Sequence, residues 1–393
     1  MFSSLMSRLW ADCQDTSHVN ATHPNVISAA RMVAEIAREN AESVDASGRL
    51  PTESVQAMRE TGLLGCLARA DSEFRDVARA TSMISEACSS SGSIFAMHQS
   101  QVATLLAHGT SATLRKELTR VAANEVLIAS CLSENSTGGD PGRSSCYIDP
   151  VEGGYVIAKQ SPAISYGSIA DAIMVSARRG ADAEPHEQVL AYCTAPAMDV
   201  VEAGVWDSLG MRGTGSSPFS LTARVTAGHV FDEPFAVVGA QTMIPASHVL
   251  WAAGWLGIAR EAVKKTLAYL RTSSDRGTPL ETSRDLKLAR ARRLISEMTA
   301  ELDIACARVQ NAEPGLVALR TTYFNSLKLK SSESLIEILT LCLQLVGITG
   351  YLNSGPHSLA RLLRDSHSAP LMVSNQRIEL NNARGARMPL EAV

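Results

Sequence analysis

The feature that most restricts what this chain can become is a change of hydrophobic period, from helical to strand-like near Val126 and back to helical near Pro245. Upstream, "VISAARMVAEIARENAESVDASG" spaces its apolar residues by three and four and stops at Gly48, which marks an amphipathic helix. "LPTESVQAMRETGLLG" predicts a second helix, opened by Pro51, Thr52 and Glu53 and closed by Gly62. "RDVARATSMISEACSSSGSIFAMHQSQVATLLAHG" reads as two more, with the Ser/Gly run from Ser89 to Ser93 as the interruption.

Beyond Val126 the runs "VLIASCLSE", "CYIDPVEGGYVIAKQ", "AIMVSARRG" and "QVLAYCTAP" are short, rich in Val, Ile, Tyr and Thr, and divided by Gly, Pro and Asp. That is the grammar of strands and hairpins, and it continues through "FSLTARVTAGHVF" to about Val238. "SHVLWAAGWLGIAREAVKKTLAYLR", "RDLKLARARRLISEMTAELDIACARVQN" and "YFNSLKLKSSESLIEILTLCLQLVGITGYL" then restore helices of the length a bundle needs. The expected fold class is α+β multidomain. It has an N-terminal α-helical domain over residues 1–125, a central β-barrel-like domain over 126–240 and a C-terminal four-helix bundle over 241–393.

Charged residues make up 19% of the 393-residue chain and the formal net charge is -4, so no basic surface points to nucleic acid or an anionic membrane. No window reaches the roughly 18 uninterrupted apolar residues of a bilayer span, and "MFSSLMSRLWADCQD" does not fit a signal peptide. The eight cysteines are scattered, without C-x-x-C spacing or clustering with histidine. Reduced thiols, no metal site and a cytoplasmic protein are the expectation.

Five motifs, in order along the chain, carry a resemblance to the acyl-CoA dehydrogenase superfamily. "LSENSTGGD" resembles that family's flavin-contacting turn and puts Leu132, Ser133, Gly138 and Gly139 against the cofactor. "AISYGSIAD" is similar to its Trp-x-Thr stretch, with Ser165 on the flavin-facing Thr, Ile164 beside it and Ala163 on the Trp. "WDSLGMRGTGSSPFSL" is similar to a Leu-Gly-x-Arg-Gly segment, "QLVGITGYL" to a Gln-x-x-Gly-Gly-x-Gly-Tyr helix end, and "RLLRD" to the Arg-Leu-x-Arg-Asp that follows. The resemblance implies FAD, with FMN as the alternative, and a homodimer or homotetramer assembled through the bundle. It also implies dinucleotide contacts from Gln344, Gly347 and Gly350, with Arg271 or Arg276 replacing an Arg that the family carries in "LRTSSDRG". A glycine-rich turn can bring backbone N–H groups to a flavin or its phosphates without steric obstruction.

The resemblance also exposes a gap. Family dehydrogenases take the α-proton of an acyl thioester with a Glu, and the two positions that hold it are here Val373 and Ser247. His98, after the Ser-rich run, is the first candidate to replace it, with Ser165 as a hydroxyl partner and His367 and Asn375 as further catalytic candidates. His248, beside Ser247, is another. The competing reading makes His98 a satisfied core histidine, Trp251 and Trp255 packing residues, and "RDLKLARARRLISE" a solvated helix face, against a functional reading of that run as a landing site for an acidic carrier protein.

Three functions follow. The first is a flavin-dependent oxidoreductase of an acyl or aminoacyl thioester on CoA or a carrier protein, with a noncanonical base. The second is a two-component monooxygenase, similar to a branch of the superfamily, that receives reduced flavin from a reductase and oxygenates a small N-, S- or aromatic substrate. The third is a flavin-binding scaffold without catalysis.

Overall fold

The computed structural model describes residues 24–385, apart from 70–71, 138–139, 273–278 and 312–316. Helix α1 (Val26–Ser47) starts where the Asn25 side chain accepts from Ser28 N and stops at Gly48, whose φ of 64° is the left-handed conformation a helix C-cap favours. Helices α2 (Thr52–Glu60), α3 (Phe74–Ala87), α4 (Ser89–His108) and α5 (Ala112–Ala122) complete the N-terminal helical unit. The Ser/Gly run is not an interruption, because Cys88 alone separates α3 from α4 and the run forms the first turns of α4. A Cβ on Gly92 would fall onto Ser85, so these small residues serve the close crossing of the two helices.

Strands β1 (Ile128–Cys131), β4 (Ala172–Arg178) and β5 (Gln188–Thr194) form one sheet, with β1 parallel to β4 and β4 antiparallel to β5. Strands β2 (Ile148–Val151), β3 (Gly154–Ser161), β7 (Phe219–Val225) and β6 (Met198–Glu202) form a four-stranded antiparallel sheet in the order β2-β3-β7-β6. A bridge between Tyr147 and Arg178 joins the two at one edge, so the barrel-like unit consists of two small sheets around a shared core that includes Ile157, Ile173, Leu190 and Leu221.

A short helix α6 (Phe235–Val238) and a π-helical turn (Gly239–Met243) lead directly into α7 (Ile244–Thr272). Helix α7 lies between α3 and α9 (Val317–Val346), with α8 (Pro279–Gln310) alongside. Its Gly257 has no room for a Cβ against Ser82 O of α3. The helix Phe235–Thr272 is long and apolar enough to cross a membrane, yet 67% of its most apolar window is buried inside the protein. The fourth member of the bundle is short, α12 (Asn375–Gly385), which packs on α9. Helices α10 (Ile348–Tyr351) and α11 (Ala360–Ser366) lie between them in sequence.

The "RLLRD" segment of α11 is a clasp. Arg364 Nη1 donates to Asp45 Oδ1 at 3.0 Å, and buried Asp365 Oδ1 accepts from Met211 N at 2.6 Å. A Cβ on Gly210 would strike the backbone of Arg364 and Asp365, which explains the "SLGM" glycine. These contacts fix the C-terminal helices against both other units, and the cleft between them is where the site lies.

Candidate functional site

A cavity of about 670 Å³ opens where the sheets, the π-helical turn, the start of α7 and the turn before α12 converge. Leu132, Ser133, Ala163 and Ser165 line the sheet side, while Met243, Ser247, His248 and Trp251 line the helical side. Its size lies within the roughly 300–1,000 Å³ of small-molecule and cofactor pockets.

On the sheet side, the loop carrying Ser165 is stitched to a second loop by Ile164 N to Ser217 O at 3.0 Å and Tyr166 N to Thr214 O at 2.7 Å. Tyr166 turns through a left-handed φ of 44° and donates its hydroxyl to Ile128 O at 2.9 Å inside the core, which leaves Ser165 pointed at the cavity. Ser165 Oγ lies 2.8 Å from Ser216 Oγ, which lies 2.8 Å from Thr214 Oγ1, which donates to Met211 O at 2.9 Å. Behind Leu132 and Ser133, buried Glu134 faces buried Lys159 at 3.2 Å. Burial alone would raise the Glu134 pKa, but hydrogen bonds from Ser144 and Ser145 and the Lys159 charge outweigh it and hold it at about 2. Glu134 is therefore a structural anion.

On the helical side, His248 Nδ1 lies 3.1 Å from Phe324 O. A carbonyl only accepts, so Nδ1 carries the proton and Nε2 is left as a lone-pair acceptor. Burial, against a smaller opposing effect of that hydrogen bond, pushes the His248 pKa down to about 3, and the ring packs 5.7 Å from Trp251. A neutral imidazole with a free Nε2 therefore belongs to a residue that lines the cavity.

Val373 also lines the cavity, and its backbone is strained. A φ of 55° puts this β-branched residue in the left-handed region, followed by Ser374 at 47°. No carboxylate stands at Val373 or Ser247; among the described residues the only acid on the cavity wall is Asp140, which sits with Pro141 and Gly142 on the sheet side.

Several sequence expectations change on this geometry. His98 is fully buried away from the cavity, its Nε2 bonded to Leu64 O at 2.9 Å and its Nδ1 accepting from Ile128 N at 3.0 Å. With both nitrogens committed to backbone and burial holding the ring neutral with a pKa of about 4, it ties α4 to β1 and has no free lone pair for chemistry. His367 is exposed at the end of α11. Asn375 is turned to α9, where its Oδ1 accepts from buried Lys328 Nζ at 2.5 Å and its Nδ2 donates to Ser332 at 3.0 Å. Of the four catalytic candidates only Ser165 reaches the cavity.

Among the cofactor candidates, Leu132, Ser133 and Ser165 line the cavity, whereas Ile164 packs in the core behind them. Gly138, Gly139 and Arg276 lie outside the described residues. Arg271, Gln344 and Gly347 are exposed and Gly350 is buried against Val346 and Leu359, and none of these four lines the cavity. The cavity walls within one chain, hydroxyls on the sheet side and apolar side chains with an imidazole on the other, fit the ring-bearing half of a flavin. Sequence reasoning missed the π-helical turn, whose Gly239, Ala240 and Met243 all line the cavity. It named His248 but ranked it below His98.

A helical unit, a pair of sheets and a helical bundle closing on such a cavity define the flavin oxidoreductase class of architecture. The chain belongs to the acyl-CoA dehydrogenase family, whose N-terminal domain it matches over residues 26–125 and whose C-terminal domain it matches over residues 239–376. It is 24% identical to the probable acyl-CoA dehydrogenase YngJ of Bacillus subtilis over 83% of this chain and 87% of that one. It is 27% identical to the amino sugar nitrososynthase DnmZ of Streptomyces peucetius over 84% of each. Among solved structures, FMN-bound TdsC from Paenibacillus sp. A11-2 superposes with a TM-score of 0.81 at 21% identity, covering 93% of this chain and 98% of that one. Members of the family are in general flavin oxidoreductases, with FAD or FMN as cofactor.

Proposed function

We propose that this protein is the oxygenase component of a two-component flavin monooxygenase acting on a small N-, S- or aromatic substrate. The observation that carries the reading is a cavity wall with no carboxylate at Ser247 or at the strained Val373, and with neutral His248 as its imidazole. Thioester desaturation needs a carboxylate or equivalent base against an acidic C–H, and His98, the sequence candidate for that role, is locked in the core. Oxygen transfer has no such requirement. Reduced flavin supplies two electrons, one oxygen atom of O₂ goes to the substrate, and the other leaves as water.

In this reading the chain's own residues bind, orient and exclude water. His248 Nε2 accepts a hydrogen bond from an amine, hydroxyl or ring N–H of the substrate. Trp251 and Met243 supply apolar walls, and Ser165 would lie against a bound flavin ring. The family resemblance to a nitrososynthase, which by its name acts on an amino sugar, favours a nitrogen-bearing substrate over a long acyl chain.

The test is anaerobic loading with reduced FMN or reduced FAD followed by rapid mixing with oxygen. A short-lived absorbing species whose decay is accelerated by an amine, sulfide or phenol supports the proposal. A protein that holds oxidised FAD and is bleached by acyl thioesters, free or on a carrier protein, would return the reading to thioester oxidation.

A further inference from the structure

We infer that the hydroxyl row Ser165–Ser216–Thr214 is a redox selector that favours binding of reduced over oxidised flavin; the inference rests on the flavin reading above. The row has one sink. Met211 O only accepts, and Thr214 Oγ1 lies 2.9 Å from it. When Thr214 gives its single hydroxyl proton to that carbonyl, its oxygen is an acceptor for Ser216 at 2.8 Å. Ser216, its own proton spent, accepts in turn from Ser165 at 2.8 Å.

The proton of Ser165 is thereby directed into the protein, and only lone pairs face the cavity. Thr214 and Ser216 are buried, so no solvent competes for these protons.

Reversing all the hydroxyls would aim the Ser165 proton into the cavity, but would forfeit the bond from Thr214 to Met211 O. A net hydrogen bond of about 0.5–1.5 kcal/mol corresponds to roughly 2- to 12-fold in the ratio of the two orientations. The lower part of that range applies, because Met211 O also accepts from Trp206 Nε1 at 3.0 Å and Thr214 N at 3.1 Å.

Flavin chemistry reads this polarity directly. Two-electron reduction converts an isoalloxazine ring nitrogen from a lone-pair acceptor into an N–H donor. An acceptor-only Ser165 complements the reduced ring and leaves the oxidised ring nitrogen facing another lone pair. A protein that must capture reduced flavin from solution and release it once oxidised gains from such a wall.

The experiment measures dissociation constants for oxidised and anaerobically reduced FMN on the full chain, without substrate, in wild type, Ser216→Ala and Thr214→Val. Wild type binds the reduced form more tightly. In Ser216→Ala the Ser165 proton is free to turn into the cavity, and the ratio of oxidised to reduced dissociation constants falls about 2- to 5-fold. The midpoint potential of bound flavin falls with it, by about 30 mV for each tenfold. Thr214→Val cuts the sink while keeping the Ser165–Ser216 pair, and the ratio falls by less. A ratio unchanged in both variants, with binding intact, overturns the redox selector alone. No binding of either form by any of the three proteins overturns the flavin reading as well.

Discussion

Replacing Lys159 by Met should destabilise the central unit by about 3–5 kcal/mol at neutral pH, because it strands a buried carboxylate. Lys159 and Glu134 have side-chain exposures of 0% and 3%, and Lys159 Nζ also donates to Ser176 O at 2.6 Å. The structure supplies a second route to the size of the effect. Against an ordinary value of 4.5, Glu134 is held at about 2. At about 1.4 kcal/mol per unit, that difference is worth about 3 kcal/mol, shared between Lys159 and the Ser144 and Ser145 hydrogen bonds. A lowered carboxylate pKa stabilises the fold above pH 4.5, and the contribution is lost as pH falls towards 2. Without Lys159 the carboxylate protonates at higher pH, so the gap between variant and wild type should narrow as the medium is acidified to about pH 4. Urea unfolding followed by Trp fluorescence, at pH 7 and at pH 4.5, measures both. The double variant Glu134→Gln/Lys159→Met should recover part of the loss, since it removes the charge along with its partner. A penalty below about 1 kcal/mol for Lys159→Met, or one that does not change with pH, would show that Glu134 is not a buried anion. Flavin affinity should drop in parallel, because Leu132 and Ser133 hang directly on this pair.

His248→Leu should weaken binding of a nitrogen-bearing substrate by about 2- to 12-fold with flavin affinity nearly unchanged, as judged by equilibrium titration of each. Because His248 stays neutral down to a pKa of about 3, that residue should add no acid limb to the pH–rate profile between about pH 5 and 8. His98→Ala should act on stability instead, costing about 1–3 kcal/mol for the Ile128 N–H left unpaired, since Leu64 O keeps its bond from Gln99 Nε2 at 3.0 Å, with the same turnover per folded molecule once corrected for denatured protein. Trp251 and Met372 line both the main cavity and a small void of about 20 Å³ beyond it. Trp251→Ala should join the two and let substrates with a longer aliphatic arm bind about fourfold more tightly per added methylene, a series that wild type should not show in competition binding.

How much of this was written in the sequence depends on the range of the interactions that decide each feature. Local rules place the end of α1 at Gly48 and the β2–β3 hairpin at Gly153, with φ of 64° and 82°, because only the residue's own backbone has to comply. The order of helices, strands and helices follows from hydrophobic period for the same reason. The Ser/Gly run misled because Gly92 answers to Ser85 across a helix crossing, and a crossing leaves no mark on periodicity. The π-helical turn at Gly239–Met243 was likewise silent.

The site shows the same division more sharply. Ser165, which the resemblance to the family singled out, lines the wall, whereas His98 and His248 look alike in a one-dimensional reading. What separates them is a single nitrogen. His98 meets a carbonyl on one side and an N–H on the other, while His248 meets only the carbonyl of Phe324 and keeps Nε2 for the cavity. Asn375 was misplaced by the same kind of long-range demand. Lys328 is buried and has its pKa lowered to about 8 by desolvation, and it takes the Asn375 amide oxygen as a partner. Val373 is then left at the surface of the cavity in a conformation a valine does not choose. The strained turn is therefore imposed by what anchors either side of it, the α11 clasp through Asp365 and Met211 before it and the Lys328–Asn375 bond after it. A carboxylate placed there by Val373→Glu would stand on the cavity wall, so appearance of thioester dehydrogenation in that variant would mean that this site departs from its family by one side chain rather than by its architecture.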